Sequence, residues 1–262
     1  MPDELLSHAD GAIHWLTLNR PARRNALTPD LARAIADALD GLEESGHAEL
    51  VVLRGAGGHF SAGLDLHWLR SLGDAPSVAE LQRGLADFQA AILAAVRCPV
   101  PVLAVVEGTT AGFGLDLALA CDMRVASADA TFTSAFARMG LVPDGGSTFT
   151  LPRLVGVGPA LRLLLAGETI DAARAQAIGL VDEVVEPALV AGEVAALADR
   201  LTAGATTSVR TIKRLVRSAE VGALEQTLAG EGAAQIQALQ GPEFQRRLEA
   251  FAARLAARAE SA

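Results

Sequence analysis

The chain has few cysteines and no clustered metal ligands, and each shortage excludes a class of protein. It contains two cysteines in 262 residues, Cys98 and Cys121. Both lie beside apolar runs, which predicts reduced core thiols in a cytoplasmic protein rather than a disulfide framework. The five histidines are scattered, and no Cys/His group has the spacing of metal ligands. We therefore expect no metal site.

Long hydrophobic runs are also missing, although 51% of the residues are hydrophobic. The apolar stretch at residues 99–106 is far shorter than the roughly 20 residues that a spanning helix needs. The first residues, Met-Pro-Asp-Glu-Leu-Leu, are acidic and lack the basic and apolar regions of a secretory signal. These features predict a cytoplasmic protein without a membrane segment.

Basic residues are scarce, with 22 Lys and Arg against 31 Asp and Glu and a net charge of −9. This balance argues against a nucleic-acid partner, which normally requires a basic face. A small anionic ligand held by a few local cations remains compatible with it. Arg210, Lys213, Arg214 and Arg217 recur at helical spacing on one face. We interpret them as a solvated helix face, with a phosphate-facing patch as the alternative.

The order of the elements favours a parallel α/β core. Strand-like apolar segments lie at residues 11–19, 50–54, 100–106 and 123–126, and helical patterns at residues 28–45, 64–72, 78–96 and 112–120. Thr28 followed by Pro29 is typical of a helix N-cap and first turn. Strands that alternate with helices and are apolar throughout predict a parallel sheet covered on both faces.

After Gly145 the pattern becomes almost entirely helical, apart from a short strand at residues 180–185. The helices from about residue 206 are expected to break at Gly222 and at residues 241–242. We divide the chain into an α/β core at residues 1–200 and a helical region at residues 201–262. A helical tail with little core of its own should pack on the α/β part, on another subunit, or on both.

Two glycine-rich loops carry the strongest chemical signal. They are Phe-Ser-Ala-Gly-Leu-Asp-Leu at residues 60–66 and Gly-Thr-Thr-Ala-Gly-Phe-Gly-Leu-Asp-Leu-Ala at residues 108–118. Each ends a strand-like run and opens a helical pattern. Each therefore offers free backbone N–H groups at a positive helix end, where an enzyme can hold a developing oxyanion.

These loops resemble those of the crotonase (enoyl-CoA hydratase/isomerase) superfamily, and the similarity continues along nearly the whole chain. The matching motifs lie at residues 18–21, 25–27, 60–66, 108–122, 137–146, 151–156 and 179–182. The resemblance implies a crotonase-like spiral of ββα units with a C-terminal helical trimerisation region. It implies a homotrimer or a dimer of trimers. It also implies an acyl-CoA substrate, with coenzyme A as part of that substrate and no separate cofactor. The amides of Leu64 and Phe113 would polarise the thioester carbonyl.

The acid/base residues depart from the hydratase pattern. Hydratases of the family use two glutamates. Here Asp116 occupies the first position and Phe136 the second. Asp144, in Val-Pro-Asp-Gly-Gly, resembles the catalytic aspartate of isomerase branches, and the surrounding motifs favour the branch of the epoxyphenylacetyl-CoA isomerases. Phe136 should make the pocket drier and so raise the Asp144 pKa.

Both aspartates also have structural interpretations. Pro-Asp-Gly is a strong turn signal, in which Asp144 would cap its own backbone or the next helix. Asp116 shares a helical face with Phe113 and should stay ionised near a helix N-terminus. It would act in catalysis or simply match the helix dipole.

By the same resemblance, coenzyme A would contact three parts of the chain. Arg23 and Arg24 would meet its phosphates, although they would equally serve as ordinary surface charge. The pantetheine or adenine would touch Ala62, Gly63 and Asp65, and the last helix would contribute Phe251 and Arg254. Asp65 is also a candidate cap for the helix that begins at Leu66. His67 and Trp68 are candidates for the acyl pocket.

The leading functional prediction is a double-bond shift in an acyl-CoA with Asp144 as the proton shuttle. The first alternative is an enoyl-CoA hydratase that uses Asp116 with or without Asp144. A second is nucleophilic attack by Asp144, as in aroyl-CoA dehalogenases. From another class, a non-catalytic oligomeric binding module or an RNA-binding relative is disfavoured by the acidic charge balance.

Overall fold

A mixed six-stranded sheet forms the centre of the molecule. The computed structural model describes residues 4–42, 48–73 and 76–250. The sheet consists of β1 (Leu5–Asp10), β2 (Ile13–Leu18), β3 (Leu50–Gly55), β4 (Val102–Val106), β6 (Met123–Ser127) and β9 (Glu183–Val185). The strands lie in that order, and only the β1–β2 pair is antiparallel. The predicted parallel α/β core is confirmed.

A smaller sheet of three short strands lies beside the main one. It contains β5 (Thr109–Ala111), β7 (Thr131–Thr133) and β8 (Thr169–Asp171), with β7 in the centre. Its β5 strand follows β4 closely and forms the first part of the second glycine-rich loop. The sequence analysis did not identify these three strands, because three residues are too few to show a periodic pattern.

Helices cover the sheets and complete the fold. They are α1 (Pro29–Asp40), α2 (Leu66–Ser71), α3 (Val78–Arg97), α4 (Phe113–Ala120), α5 (Ser147–Val155), α6 (Val157–Ala166), α7 (Ala172–Ala177), α8 (Val190–Thr202) and α9 (Thr206–Leu239). Single 3₁₀ turns lie at Pro21–Arg23, Ala137–Met139 and Pro187–Leu189, and residues 242–250 are helical. None of the helices within the described residues is long and apolar enough to cross a bilayer.

The N-terminal predictions are partly confirmed. Thr28 caps α1 by accepting a hydrogen bond from the Leu31 N–H, and Pro29 is the first helical residue. The predicted strand at residues 11–19 is confirmed as β2, which forms a hairpin with β1 that turns at Gly11, with φ +57°. The β1 strand escaped detection because its residues are largely exposed and carry no alternating pattern.

The predicted helix break at Gly222 is wrong, because α9 continues through it. A single glycine costs a helix only about 1 kcal/mol. The burial of Leu224 and Leu228 in the main core offsets that cost. The second predicted break is confirmed, since α9 ends at Leu239 and a helix resumes at residue 242.

Three of the four cations in the α9 cluster are bonded within the fold rather than solvated. Lys213 donates to the Val100 carbonyl oxygen and lies 2.6 Å from the Asp122 carboxylate. Arg217 also pairs with Asp122, at 3.0 Å, and Arg210 donates to a backbone carbonyl. These bonds tie α9 to the end of the sheet, whereas Arg214 is exposed. The phosphate-facing patch stays a prediction. The division at residues 1–200 and 201–262 stays a prediction.

Cys98 and Cys121 are buried and free, as predicted. Burial raises the pKa of both thiols, that of Cys121 to about 12. Within the described residues, no group of three His, Cys, Asp or Glu side chains is arranged to hold a metal ion.

Candidate functional site

The two glycine-rich loops run side by side. Ser61 accepts a hydrogen bond from the Ala111 N–H at 2.9 Å and donates its own N–H to the Thr109 carbonyl at 3.1 Å. A parallel bridge joins Ser61 to Thr110 in the same stretch. The first loop is therefore an extra extended segment on the edge of β5, which fixes its position relative to the second loop.

Glycine is required where the loops approach most closely. Gly63 has φ +86°, and a Cβ there would lie 2.5 Å from the Ala111 carbonyl oxygen and 3.3 Å from the Phe113 nitrogen. A Cβ on Gly114 would lie 2.7 Å from the Ser61 side chain. Because both positions lack a side chain, the Phe113 nitrogen lies against Gly63, the residue that precedes Leu64.

The amides of Leu64 and Phe113 are both available to a ligand. Phe113 is the first residue of α4, and Leu64 immediately precedes Asp65, the N-cap of α2. Among the described residues, neither N–H donates to a backbone carbonyl, whereas those of Asp65 and Gly112 do. Helix N-termini leave such groups unpaired and carry partial positive charge. The two amides predicted from sequence thus lie at or just before the starts of two helices.

Leu64 and Phe113 line one cavity of about 240 Å³. The wall is largely apolar, and Asp144 and Gln235 are its two polar side chains. The full lining is Ala62, Leu64, Leu66, Phe88, Gly112, Phe113, Ala135, Phe136, Met139, Leu141, Asp144 and Gln235. A cavity with few polar groups placed beside two free amides fits an apolar acyl chain with a polarised carbonyl.

Asp144 is buried in this wall, with 9% of its surface exposed. Its Oδ2 accepts a hydrogen bond from Gln235 Nε2 at 3.1 Å, and its Oδ1 has no partner among the described residues. Its pKa is raised to about 7, chiefly by burial; the Gln235 hydrogen bond opposes the increase, and the nearby Glu231 carboxylate adds to it. The predicted direction is confirmed.

The alternative role of Asp144 as a helix cap is not what the structure shows. Gly146 is the N-cap residue of α5, and it has no side chain that could accept a hydrogen bond from the N–H groups of the helix. The Gly146 N–H instead donates to Glu231, which comes from α9. The Asp144 carboxylate is therefore not used to cap the helix that follows it.

Asp116 is not among the residues that line the cavity. It is 1% exposed and accepts the Gly145 N–H at 3.1 Å. Burial raises its pKa well above the ordinary value, with further increases from Glu231 and Asp144, while Ser147 and Gly145 oppose them. The expected stabilisation of the ionised form by the helix N-terminus is thus opposed by desolvation, which moves the pKa of Asp116 up.

Two residues of the site, Glu231 and Gln235, were missed by the sequence analysis. The buried Glu231 carboxylate accepts the Gly146 N–H at 2.7 Å, the Thr148 N–H at 3.0 Å and the Thr148 hydroxyl. A signal for them exists, since both follow Leu224 and Leu228 on the apolar stripe of α9. Polar side chains on a buried helix face need partners, and here the partners lie around Asp144.

Asp65 has the capping role that its position indicated. Its Oδ1 accepts the N–H groups of His67 and Trp68, and its Oδ2 lies 2.8 Å from Arg20. Burial alone would raise its pKa, but these hydrogen bonds and the Arg20 charge hold the pKa below its usual range. Its role as a coenzyme A contact stays a prediction.

The other predicted coenzyme A residues lie in two places. Arg23 and Arg24 are exposed, and the Arg24 carbonyl accepts the Ala62 N–H at 2.8 Å, so both flank the first glycine-rich loop. Phe251 and Arg254 lie outside the described residues. His67 and Trp68 are not in the cavity wall; Trp68 packs edge-on against Phe88.

Comparison with known proteins finds a matching family model, related sequences and similar solved structures. The family model described as enoyl-CoA hydratase/isomerase matches residues 8–261. The chain is 32% identical over 255 residues to the 1,2-epoxyphenylacetyl-CoA isomerase of Escherichia coli (strain K12), with 97% of each chain covered. It is 35% identical over 238 residues to a probable enoyl-CoA hydratase of Rhodobacter capsulatus, with 90% of each covered. The crystal structure of an enoyl-CoA hydratase from Mycobacterium avium subsp. paratuberculosis K-10 matches with a TM-score of 0.87 and 31% identity, over 96% of both chains.

Proposed function

The chain belongs to the enoyl-CoA hydratase/isomerase family, and on that premise we propose that it shifts a carbon–carbon double bond in an acyl-CoA thioester. Family membership and the structural match confirm the crotonase-like fold and the isomerase-like branch expected from sequence. In the proposed reaction the Asp144 carboxylate takes a proton from one carbon. The electron pair moves onto the thioester oxygen as an enolate, and Asp144 returns the proton to another carbon.

One observation carries this proposal. Asp144 is the single carboxylate among the described residues that line the cavity shared by Leu64 and Phe113. Phe136 lines the same cavity at the position where the family resemblance implies a second glutamate, and Asp116 is bonded to Gly145 and does not line the cavity. One carboxylate is enough to move a proton between two carbons. Direct hydration also requires that water be deprotonated on the same face.

The electrostatics of the site support the enolate route. Each preorganised N–H donor aimed at an oxyanion contributes about 3 kcal/mol in a water-excluded site, and Leu64 and Phe113 supply two. The Asp144 pKa of about 7 suits a group that must both accept and return a proton near neutral pH. The apolar wall keeps water from the enolate while the proton is transferred.

Coenzyme A binding and assembly form the outer part of the proposal. Arg23 and Arg24 would meet the phosphates beside Ala62, Gly63 and Asp65, with Phe251 and Arg254 contributing from the end of the chain. Coenzyme A would enter as part of the substrate, without a separate cofactor, in a cytoplasmic homotrimer or dimer of trimers. Exposed apolar side chains that further copies would cover are Val157, Leu161, Leu165, Ile212, Leu215 and Val216.

Hydration of a 2-enoyl-CoA, with Asp116 and Asp144 as the acid/base pair, is the second candidate. The observation in its favour is that a relative named probable enoyl-CoA hydratase shares 35% identity with the chain over 90% of its length. That level of similarity is no lower than the similarity to the named isomerase.

A single screen separates the two candidates. The purified protein is incubated in heavy-oxygen water with a panel of 2-enoyl-, 3-enoyl-, dienoyl- and aryl-CoA esters, and the products are read by mass spectrometry. Rearrangement without a change of mass is expected. Rapid uptake of solvent oxygen by the 2-enoyl esters would instead establish hydration and overturn the proposal.

A further inference from the structure

Gln235 lies on α9 at the wall of the cavity, with 2% of its surface exposed. Its side-chain amide is held at both ends. The Oε1 atom accepts the Val142 N–H at 3.1 Å, and Nε2 donates to Asp144 Oδ2 at 3.1 Å. Because a backbone N–H can bond only to the oxygen end of the amide, the nitrogen end must face the carboxylate.

This arrangement makes the two oxygens of Asp144 unequal. Oδ2 is engaged by Gln235, whereas Oδ1 has no hydrogen-bond partner among the described residues. We propose that Gln235 is a positioning residue for Asp144, which fixes the carboxylate through Oδ2 and leaves Oδ1 as the oxygen that takes and returns the substrate proton. The inference rests on the proposed double-bond shift. Gln235 lies 91 positions away from Asp144 in the chain.

The charges that face Asp144 oppose its ionisation, so the hydrogen bond from Gln235 matters for its pKa. From α9 it is faced by the buried Glu231 carboxylate, and from α4 by the buried Asp116. The neighbouring side chain from α3 is Gln89, which is neutral and contacts the Asp144 backbone carbonyl. Burial and Glu231 both favour the protonated form. The donor on Gln235 acts in the opposite direction and keeps the carboxylate available as a base.

The test is Gln235→Met, which retains the length of the side chain and removes the donor. The Asp144 pKa should rise by about one pH unit, and the acidic limb of the pH profile for kcat/KM should move up with it. Trans-3-hexenoyl-CoA serves as the assay probe. Independently of turnover, the carboxyl carbon is titrated by NMR in protein labelled with ¹³C-aspartate, with Asp144→Asn identifying its signal.

Gln89→Met is the matched control. Gln89 donates from α3 to the Asp144 carbonyl at 3.4 Å and to the Leu228 carbonyl at 2.7 Å, so it braces the same segment without touching the carboxylate. Loss of packing or stability should affect both variants, but only Gln235→Met should shift the titration. An unmoved Asp144 signal in Gln235→Met, or an equal shift in both variants, overturns the proposal.

A second variant keeps the test decisive if Gln235→Met does not fold. Gln235→Glu retains the acceptor for the Val142 N–H and places another carboxyl group against Oδ2, so the Asp144 pKa should again rise. If the wild-type protein converts no ester of the panel, the double-bond shift fails while the NMR titration still decides the role of Gln235.

Discussion

The Glu231 carboxylate accepts the Gly146 N–H at 2.7 Å and thereby joins the long C-terminal helix to the segment that carries Asp144. Two further donors, both from Thr148, complete its hydrogen bonds. Three donors on two oxygens suit an ionised carboxylate. A buried negative charge therefore lies one helical turn from Gln235. Glu231 raises the pKa of Asp144, whereas the hydrogen bond from Gln235 lowers it.

Replacing Glu231 tests whether Glu231 and Gln235 shift the Asp144 pKa in opposite directions. Glu231→Gln removes the charge and keeps one acceptor, so the Asp144 pKa should fall below about 7 and the acidic limb of activity should move down. Glu231→Ala also leaves buried N–H groups unpaired, at a cost of about 2 kcal/mol in the free energy of unfolding. Carboxyl titration and urea denaturation measure the two effects. A titration shift in the same direction as that of Gln235→Met would contradict the assignment.

Asp144→Asn should abolish the double-bond shift. The amide cannot take a proton from carbon, and the loss of a general base typically costs 10²–10⁴-fold in rate, that is about 3–5 kcal/mol of barrier. Affinity for the CoA ester should remain nearly unchanged, since in the proposed site Leu64 and Phe113 would hold the thioester through their backbone amides. Steady-state kinetics measure the loss of turnover, and calorimetry measures the affinity for the CoA ester. Retention of full turnover would refute the mechanism.

Asp116→Asn is the comparison that separates the two candidate reactions. Burial raises the Asp116 pKa well above its ordinary value, and the asparagine amide is close to isosteric with the carboxyl group. Its carbonyl oxygen can still accept the Gly145 N–H. We expect activity within about tenfold of wild type, because no proton transfer is lost. A loss as large as that of Asp144→Asn would favour the hydratase mechanism.

The raised pKa of Asp144 also predicts how stability depends on pH. An unfolded aspartate titrates near 3.9, whereas burial raises the pKa of Asp144 in the folded protein to about 7. The folded state thus binds more protons between these values. The contribution of this group is complete below about pH 4 and is lost as pH rises through about 7, by at most ~1.4 kcal/mol per pH unit.

Urea denaturation at pH 5 and pH 8 measures this dependence, with Asp144→Asn as the reference. The free energy of unfolding should fall between the two pH values, and it should fall less in the variant, which has no carboxyl group at this position. The difference between the two proteins isolates Asp144 from every other titrating group. Equal decreases would show that its folded pKa is not raised.

The sequence predicted those parts of the site that depend on local pattern. The loops around Leu64 and Phe113 are recognisable because glycine is required at Gly63 and Gly114 for two segments to approach, and such positions appear as motifs. Gln235 carries no such mark. It reaches Asp144 across 91 residues, and only the packing of α9 on α3 and α5 determines that contact.

The environments of the charged residues could not be predicted from local sequence either, because distant elements determine them. Asp116 follows a helix start, which locally predicts an ionised group. Its actual environment is set by burial and by Glu231, which belongs to a distant helix. The cations of α9 present the same case, because Lys213 and Arg217 look solvated in sequence and are bound to Asp122 in the fold.

Gly63→Ala should disable the oxyanion site. The added Cβ would lie 2.5 Å from the Ala111 carbonyl oxygen, at a residue with φ +86°, so the loops must separate and the Leu64 and Phe113 amides with them. Loss of one such donor costs about 10²–10³-fold in kcat. Gly222→Ala is the control, since a Cβ there meets open space within α9 and should stabilise the protein by up to about 1 kcal/mol. Kinetics together with thermal denaturation distinguish the two, and unchanged kcat in Gly63→Ala would show that the two amides do not hold the reacting oxygen.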